Sequence, residues 1–434
     1  MKILHIAVHL GGGAGKAIAG IALECKSEAE QKIIILEKPN DMTYYNKLIE
    51  NKIDILIATS IEEVQECIEE NDIVILNWWG HPLMVKLLID LPSKTTRLII
   101  WNHINGCTYP YLSFEFLNEF IFTLFTSKYS YQNTIWTQEE YKSIKERSKV
   151  IYGMGDFSPR KLRNKDSYDI GEKLKIGYVG TLNYAKLSRN FLSYYQQLIK
   201  QIPNIQFIML GRVDEQILYD IEERKLENYF VFPGFVDKPE MYYREFDLFV
   251  YLLEDGNYGT TENVLLEAMA YGLPIIVFNN LLERNIIVNG DNGFLINNEE
   301  EFVSTVKRLH TNEELRRNIG KKARQYVISH YDGKKNAQLL MTICKKVMNE
   351  TKQAYNFRNV LGSTGFEAFC KLARKTGKVF EDYIRKPSLE NGNKIEEVDQ
   401  IFKVRSKGSI YQYAEIFSQE WQFKKIVEYW EAKK

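Results

Sequence analysis

At 434 residues the chain exceeds the roughly 250–300 residues at which a single hydrophobic core stops growing, so two domains are expected. Hydrophobic residues at 45% and charged residues at 26% exclude a disordered or fibrous chain. Lysine plus arginine and aspartate plus glutamate each total 57, which leaves no global field to gather nucleic acid, so partners must be held by local sites.

The opening MKILHIAVHLGGGAGKAIAG has the lysine, apolar stretch and small residues of a secretory signal. His5 and His9 interrupt the stretch, however, and a glycine loop follows as a first βα turn would, so the segment is read as strand and turn. Short β-branched runs then alternate with helical stretches through KIIILE, DILIAT, DIVILNWW, RLIIW and FIFTLF, the pattern of βαβ units on a parallel sheet. Thr137 with Glu140 has capping-box spacing and should open a helix before the strand-like KVIY. GMGDFSPRKLRNKDSYDIGEK reads as an inter-domain linker. A second alternation follows, in LKIGYVG, IQFIML, YFVFPG, DLFVYLL, LPIIVF and NGFLI, and beyond Asp332 the chain turns helix-rich.

Two doubly wound domains are therefore expected, over residues 1–165 and 166–345, with a helical extension over 346–434. In such sheets ligands sit beyond the carboxyl ends of the strands, so the loops after Val8, Val179, Leu210 and Leu253 should converge on a cleft. No run reaches the ~18 apolar residues that a membrane span needs. The five cysteines, Cys25, Cys67, Cys107, Cys344 and Cys370, have no metal-ligand spacing and read as reduced, buried thiols of a cytoplasmic protein.

The run Gly11-Gly12-Gly13-Ala14-Gly15-Lys16 suggests a phosphate loop, because glycines let backbone N–H groups approach an anion at a helix start. A Walker loop would need glycine at Leu10 and Ser or Thr at Ala17, and the dinucleotide G-x-G-x-x-G spacing does not fit either. A flexible turn able to lie against substrate remains, beside the alternative of a tight turn without a ligand. A stronger signal is GTTENVLLEAMAYGLP, residues 259–274, between the strands DLFVYLL and PIIVF. Its threonines can cap a helix whose free N–H groups and positive dipole end suit a diphosphate. Glu267 interrupts the apolar helix; a carboxylate there is costly unless paired, and a ribose diol offers it two hydroxyl donors. A structural bond to a neighbouring helix is the alternative.

TENVLLEAMAYGLPIIV, together with VGTLNYAK, FPGFVDKPEMYYREFDLFVY and NGDNGFLI, resembles glycosyltransferase family four, the group 1 branch of retaining GT-B enzymes. The resemblance is clear over residues 174–345; the amino-terminal half matches in layout and glycine loop. It implies a GT-B fold: two Rossmann-like doubly wound α/β domains facing a cleft, with C-terminal helices, including Trp421 and Trp430, returning to the first domain. It further implies that Glu267 holds the donor ribose, that Lys186 contacts the diphosphate, and that His103, after the strand RLIIW, lies near the donor sugar as a third catalytic residue. The nucleotide-sugar site would comprise Gly12, Gly13, Gly180, Thr181, Lys186, Arg212, Thr260, Thr261, Glu262, Asn263, Val264 and Glu267.

Two departures stand out. The family's E-x7-E pair has Gly259 in place of its first glutamate, and Thr181 stands where arginine is common. Glu254, Asp255 or Glu262 could replace the carboxylate, and Arg212 the cation. His81 competes with His103 for direct contact, and Trp78, Trp79 and Trp101 form either a sugar-stacking floor or core. The run Arg160–Lys165 is a solvated linker or a contact for anionic lipid headgroups.

The expectation is a retaining, metal-independent hexosyltransferase with no cofactor beyond its nucleotide diphosphate sugar, taken to be a UDP-sugar. The acceptor would be a glycan or lipid-linked molecule of bacterial surface polysaccharide synthesis, with the protein cytoplasmic or peripheral at the inner face of the membrane. A degenerate partner subunit and a GT-B epimerase or phosphorylase are the alternatives, and oligomeric state is left open.

Overall fold

The computed structural model describes residues 1–92, 95–153, 158–159, 167–184, 186–236, 239–254, 263–402 and 408–433. The strands in chain order are β1 (Lys2–Ala7), β2 (Glu30–Ile35), β3 (Asp54–Ile57), β4 (Ile73–Trp78), β5 (Thr95–Thr96), β6 (Leu98–Asn102), β7 (Phe122–Phe125), β8 (Ser148–Val150), β9 (Leu174–Val179), β10 (Ile205–Leu210), β11 (Phe230–Gly234), β12 (Leu248–Tyr251), β13 (Ile275–Phe278), β14 (Phe294–Ile296) and β15 (Gln353–Ala354). Every run read as a strand from the sequence forms one, with its ends shifted by at most two residues.

The chain divides into two units, Met1–Asp156 with Gly333–Lys434, and Phe157–Asn257 with Glu262–Asp332. In the first, a parallel seven-stranded sheet has the order β3-β2-β1-β4-β6-β7-β8. In the second, a parallel six-stranded sheet has the order β11-β10-β9-β12-β13-β14. Strand order reverses in each sheet beside its first strand, between β1 and β4 and between β9 and β12. These are the switch points where a doubly wound sheet leaves room for a ligand.

Both faces of the first sheet are covered, which is why its strands are apolar on both faces instead of alternating with polar residues. Ile3, Ile33 and Ile75 pack on one face with Ile18 and Ile21 of the helix Gly12–Cys25 and with Leu340, Met341 and Cys344 of the helix Gly333–Val347. Leu4, Ile6 and Leu76 pack on the other with Phe369, Phe380, Tyr413 and Phe423 of the C-terminal helices. The extension thus returns to the first sheet, and it does so from Gly333, earlier than the 345/346 division read from the sequence. The cause is the apolar stripe of Gly333–Val347, which is complementary to the glycine-turn helix. Trp430 follows the expectation, stacking on Phe402 at 4.2 Å. Trp421 does not: it is 56% exposed, with the Lys425 ammonium 5.5 Å above its ring.

In the second unit β10 and β12 are buried along nearly their whole length while the edge strand β11 is largely half-exposed, and Tyr195 stacks on Phe207 at 4.1 Å. Tyr168, in the last part of the expected linker, is anchored here: its hydroxyl donates to Gly272 O at 2.9 Å and its carbonyl accepts from Arg316. Arg160–Lys165 lie outside the described residues. Among the described residues no helix is long and apolar enough to cross a membrane. Cys25, Cys67, Cys344 and Cys370 are buried free thiols, as expected, whereas Cys107 is only partly buried.

Candidate active site

At the switch point of the second unit the loops are joined by backbone hydrogen bonds. Ser188 N donates to Leu252 O at 3.0 Å and Glu254 N to Lys186 O at 2.9 Å, with a bridge between Leu187 and Leu253. On the other side Leu182 N donates to Arg212 O and Asp214 N to Leu182 O, both at 2.9 Å. The loops after Val179, Leu210 and Leu253 therefore meet on one carboxyl edge, as the sequence led one to expect.

Their close approach depends on glycine. Gly180 has φ +149°, and a Cβ there would lie 3.2 Å from the Lys186 ammonium. Gly211 has φ +137°, and its Cβ would lie 1.9 Å from Gly180 O. Backbone packed this tightly leaves no volume for a side chain at Gly180 or Gly211, so peptide groups reach the loop edge beside the Lys186 cation. The Lys186 ammonium sits 5.2 Å above the Tyr251 ring, at the end of β12. Thr181 and Arg212 are exposed on the same edge, and so is Glu254. Among the described residues, Asn183 and Asn263 each keep a buried side-chain oxygen without a partner.

The helix Asn263–Ala270 begins after the β12 loop and buries Leu265, Leu266, Ala268 and Met269 completely. Asn263 and Val264 are half-buried at its start, and Glu267 is half-buried one turn on. Glu267 Oε2 accepts from the Tyr243 hydroxyl at 3.1 Å. Tyr243, on the helix Glu240–Glu245, stacks on Tyr271 with centroids 5.2 Å apart. Burial pushes the Tyr243 phenol well above its ordinary pKa, and the Glu267 charge adds to the shift, so the hydroxyl remains a donor. No spacing signal marked Tyr243 in the sequence; its two-tyrosine run in EMYYRE reads as amphipathic helix. Gly259, Thr260, Thr261, Glu262 and Asp255 lie outside the described residues.

In the first unit, the helix Gly12–Cys25 starts from Gly11 without a side-chain cap. Gly12 and Gly13 are exposed, and Gly12 has φ +59° with open space around it. Gly15 serves packing: a Cβ there would lie 2.2 Å from Leu10 O. Around this turn gather His9, Trp79, His81 and His103, with His9 to Trp79 at 5.3 Å, His9 to His81 at 6.2 Å and Trp79 to His103 at 6.1 Å between centroids. Gly11 N–H donates to His9 Nδ1 at 3.0 Å, which leaves Nε2–H as that ring's donor, 4.0 Å from Glu37.

The two competing histidines differ in their bonding. His81 caps the helix Pro82–Asp90 by accepting from Leu83 N at 3.2 Å, and its Nε2 lies 2.6 Å from the Gln412 amide, so both nitrogens are occupied within the protein. His103 Nε2 bonds Asn77 Oδ1 at 3.1 Å; the Asn77 amide nitrogen already donates to Ile6 O and Ile75 O. The His103 proton therefore resides on Nε2 and Nδ1 remains an acceptor. Burial, then the neighbouring His5, holds the His103 pKa down at about 3. Burial, then His9, holds His81 at about 4. Trp78 and Trp101 are fully buried core, and only Trp79 is partly exposed beside the histidines. Sequence reading passed over His9, whose signal was its place just past β1.

Among the described residues no group of three or more His, Cys, Asp or Glu side chains is placed to hold a metal ion. The family model for glycosyl transferases group 1 matches residues 160–326. The alpha-monoglucosyldiacylglycerol synthase of Acholeplasma laidlawii is 31% identical over 140 residues, covering 31% of this chain and 33% of that protein. The capsular polysaccharide biosynthesis glycosyltransferase CapM of Staphylococcus aureus is 23% identical over 172 residues, covering 38% and 44%. The matched parts thus span less than half the length of either relative. Among solved structures, Anabaena Alr3699/HepE in complex with UDP-glucose superposes with a TM-score of 0.62 at 17% identity, over 80% of this chain and 100% of that one. With two Rossmann-like sheets and C-terminal helices that return to the first of them, the chain has the GT-B fold, and the segment similar to the group 1 glycosyl transferases, residues 160–326, builds the second sheet.

Proposed function

We propose that the protein is a retaining glycosyltransferase that moves a sugar from a nucleotide diphosphate sugar, a UDP-sugar, to a glycan or lipid-linked acceptor. The observation that carries this reading is the carboxyl edge of the second sheet. There the Lys186 ammonium lies over Tyr251 at the strand-order switch, and Glu267 stands in an apolar helix that starts from the same edge. Glu267 accepts the ribose hydroxyls. Lys186, the Gly180 and Thr181 backbone and the helix start, with Thr260 and Thr261, receive the diphosphate. Arg212 is a second cation within the same loop cluster, and Asn263 and Val264 line the helix start.

Departure of the diphosphate develops negative charge, which a cation and a helix dipole preorganised at that point stabilise in the transition state. The bond from the anomeric carbon to the diphosphate oxygen breaks, the acceptor hydroxyl oxygen bonds to the same face, and a phosphate oxygen takes the acceptor proton. His103, neutral with Nδ1 as acceptor, orients a sugar hydroxyl. The Gly12–Gly13 turn and Trp79 flank the acceptor side. The two relatives, a monoglucosyldiacylglycerol synthase and a capsular polysaccharide glycosyltransferase, support a lipid-linked or glycan acceptor, which the protein would meet at the cytoplasmic face of a membrane.

A panel of nucleotide sugars is screened for thermal stabilisation, because a ligand selective for the native state raises its melting point. The ligand that stabilises is then incubated with the protein, and nucleotide release and the anomeric configuration of the product are followed by NMR. Stabilisation by one UDP-sugar and an axial product from an axial donor are expected. Inverted configuration would refute the retaining course, an isomerised sugar would indicate an epimerase, and no response to any nucleotide sugar would refute the donor assignment.

A further inference from the structure

Arg147 stands just before β8, and its Nη1 donates to Leu117 O at 3.3 Å and to Phe120 O at 2.9 Å, closing the end of the short helix Phe114–Asn118. The guanidinium carbon lies 5.9 Å from the Phe114 ring centroid. Nε and Nη2 are shut from solvent and have no partner among the described residues. These two nitrogens share one edge of the guanidinium plane, the edge that takes two oxygens of an oxyanion side by side. Arginine cannot shed its charge by releasing a proton, so a half-buried one with two unsatisfied N–H groups is costly until an anion meets it. Burial is the one cause that shifts its pKa, downward, so no carboxylate among the described residues offsets the charge.

Arg147 lines a pocket of 280 Å³ together with Asn118, Phe122, Lys346 and Glu350. Sites for drug-sized ligands run from roughly 300 to 1,000 Å³, so this one suits a small group. Lys346, from the helix Gly333–Val347, holds its ammonium 6.0 Å from the Phe122 ring centroid and brings a second cation to the pocket. Glu350 is the one carboxylate among the lining residues, which leaves the two cations in excess. Phe122 opens β7 and Arg147 precedes β8, so the pocket lies on the amino edge of the first sheet, whereas the histidines and the glycine turn sit at its carboxyl edge.

We propose that this pocket binds a phosphate-type oxyanion, gripped by the Nε and Nη2 edge of Arg147 and by the Lys346 ammonium, as a site separate from the nucleotide-sugar donor site. Soluble phosphate and the phosphate of an anionic lipid headgroup present the same oxygens to it.

Inorganic phosphate is titrated with the full chain at constant ionic strength and followed by phosphorus NMR, in wild type, Arg147→Lys, Lys346→Gln, Glu350→Gln and Lys186→Ala. Saturable binding is expected in wild type and in Lys186→Ala. Arg147→Lys keeps the charge but loses the fork, and should weaken binding by about tenfold, the worth of one charge-assisted hydrogen bond. Lys346→Gln should weaken it by about fivefold and Glu350→Gln strengthen it by about twofold, as expected for single charges beside the anion. If Arg147→Lys does not fold, the opposite effects of the other two substitutions, both at exposed positions, decide the matter. Flotation with vesicles of phosphatidylglycerol, against phosphatidylcholine, separates the sources. Capture by the anionic vesicles that falls in the charge-conserving Arg147→Lys assigns the site to a headgroup; phosphate binding without capture assigns it to soluble phosphate. Neither binding nor capture, binding unchanged in both Arg147→Lys and Lys346→Gln, or binding lost only in Lys186→Ala would overturn the proposal.

Discussion

In the proposed reading Glu267 and Lys186 carry the chemistry, and each sits on backbone that the sequence specifies closely. Lys186 lies in a loop whose carbonyl accepts from Glu254 N, so its position is set by the strand ends and not by its own side chain. Replacing it with alanine should lower kcat/KM by about 100-fold, the usual cost of removing one preorganised group that meets developing charge, with little change in melting temperature. Steady-state kinetics with the stabilising UDP-sugar check this; a loss confined to KM would make Lys186 a ground-state contact. Glu267 stands out in the sequence because a charge in an apolar helix is a local anomaly, whereas Lys186 is singled out only by the resemblance of VGTLNYAK to the family. Tyr243 and His9 do not stand out, since their meaning comes from partners brought close by tertiary packing, 24 residues away for Glu267 and across two strand ends for Trp79.

Elements were read more fully than sites. Strand positions followed from apolar runs because parallel strands covered on both faces need no polar face, and that pattern is visible without the partner strands. The capping box at Thr137 is present as expected, with Thr137 Oγ1 accepting from Glu140 N at 3.3 Å and Glu140 Oε2 accepting from Thr137 N at 2.7 Å. Thr137→Ala should cost about 1 kcal/mol in denaturant unfolding and leave nucleotide affinity unchanged. The glycine-dependent loop edge is more fragile. In Gly211→Ala the new methyl would collide with a backbone oxygen at φ +137°, so strain and overpacking together should cost about 3 kcal/mol or more and lower the melting temperature by several degrees. A Gly211→Ala protein that melts like wild type would show that the three loops have slack. What sequence could not supply here was the stitching itself: each of the three turns looks ordinary alone, and their contact depends on strand order.

For the whole molecule, the helix Gly333–Val347 joins the first sheet's core, though contiguity in sequence assigned its residues to the second domain. An apolar helical stripe tells that a helix is buried, not against what, so such a boundary is hidden until the partner surface is known. The same unit carries a pH signature. His5, His81 and His103 are held neutral by burial, with pKa values of about 4, 4 and 3. The unfolded chain binds their protons more readily, so unfolding takes up protons below pH 6.5 and stability falls as pH drops toward 4. Each histidine loses about 1.4 kcal/mol per pH unit in that window, about 2 kcal/mol by pH 5, and stability is flat above pH 7 on their account. Denaturant midpoints between pH 7.5 and 5 should therefore decline, and His81→Asn, which keeps a helix cap, should flatten part of the slope. A midpoint that holds constant to pH 5 would contradict buried neutral histidines. The donor assignment is tested most directly by a crystal structure of the protein with UDP bound. Both ribose hydroxyls should lie within about 3 Å of the Glu267 carboxylate, with the diphosphate beside the Lys186 ammonium. UDP seated elsewhere, or Glu267 bonded to protein alone while the nucleotide is held by other groups, would contradict it.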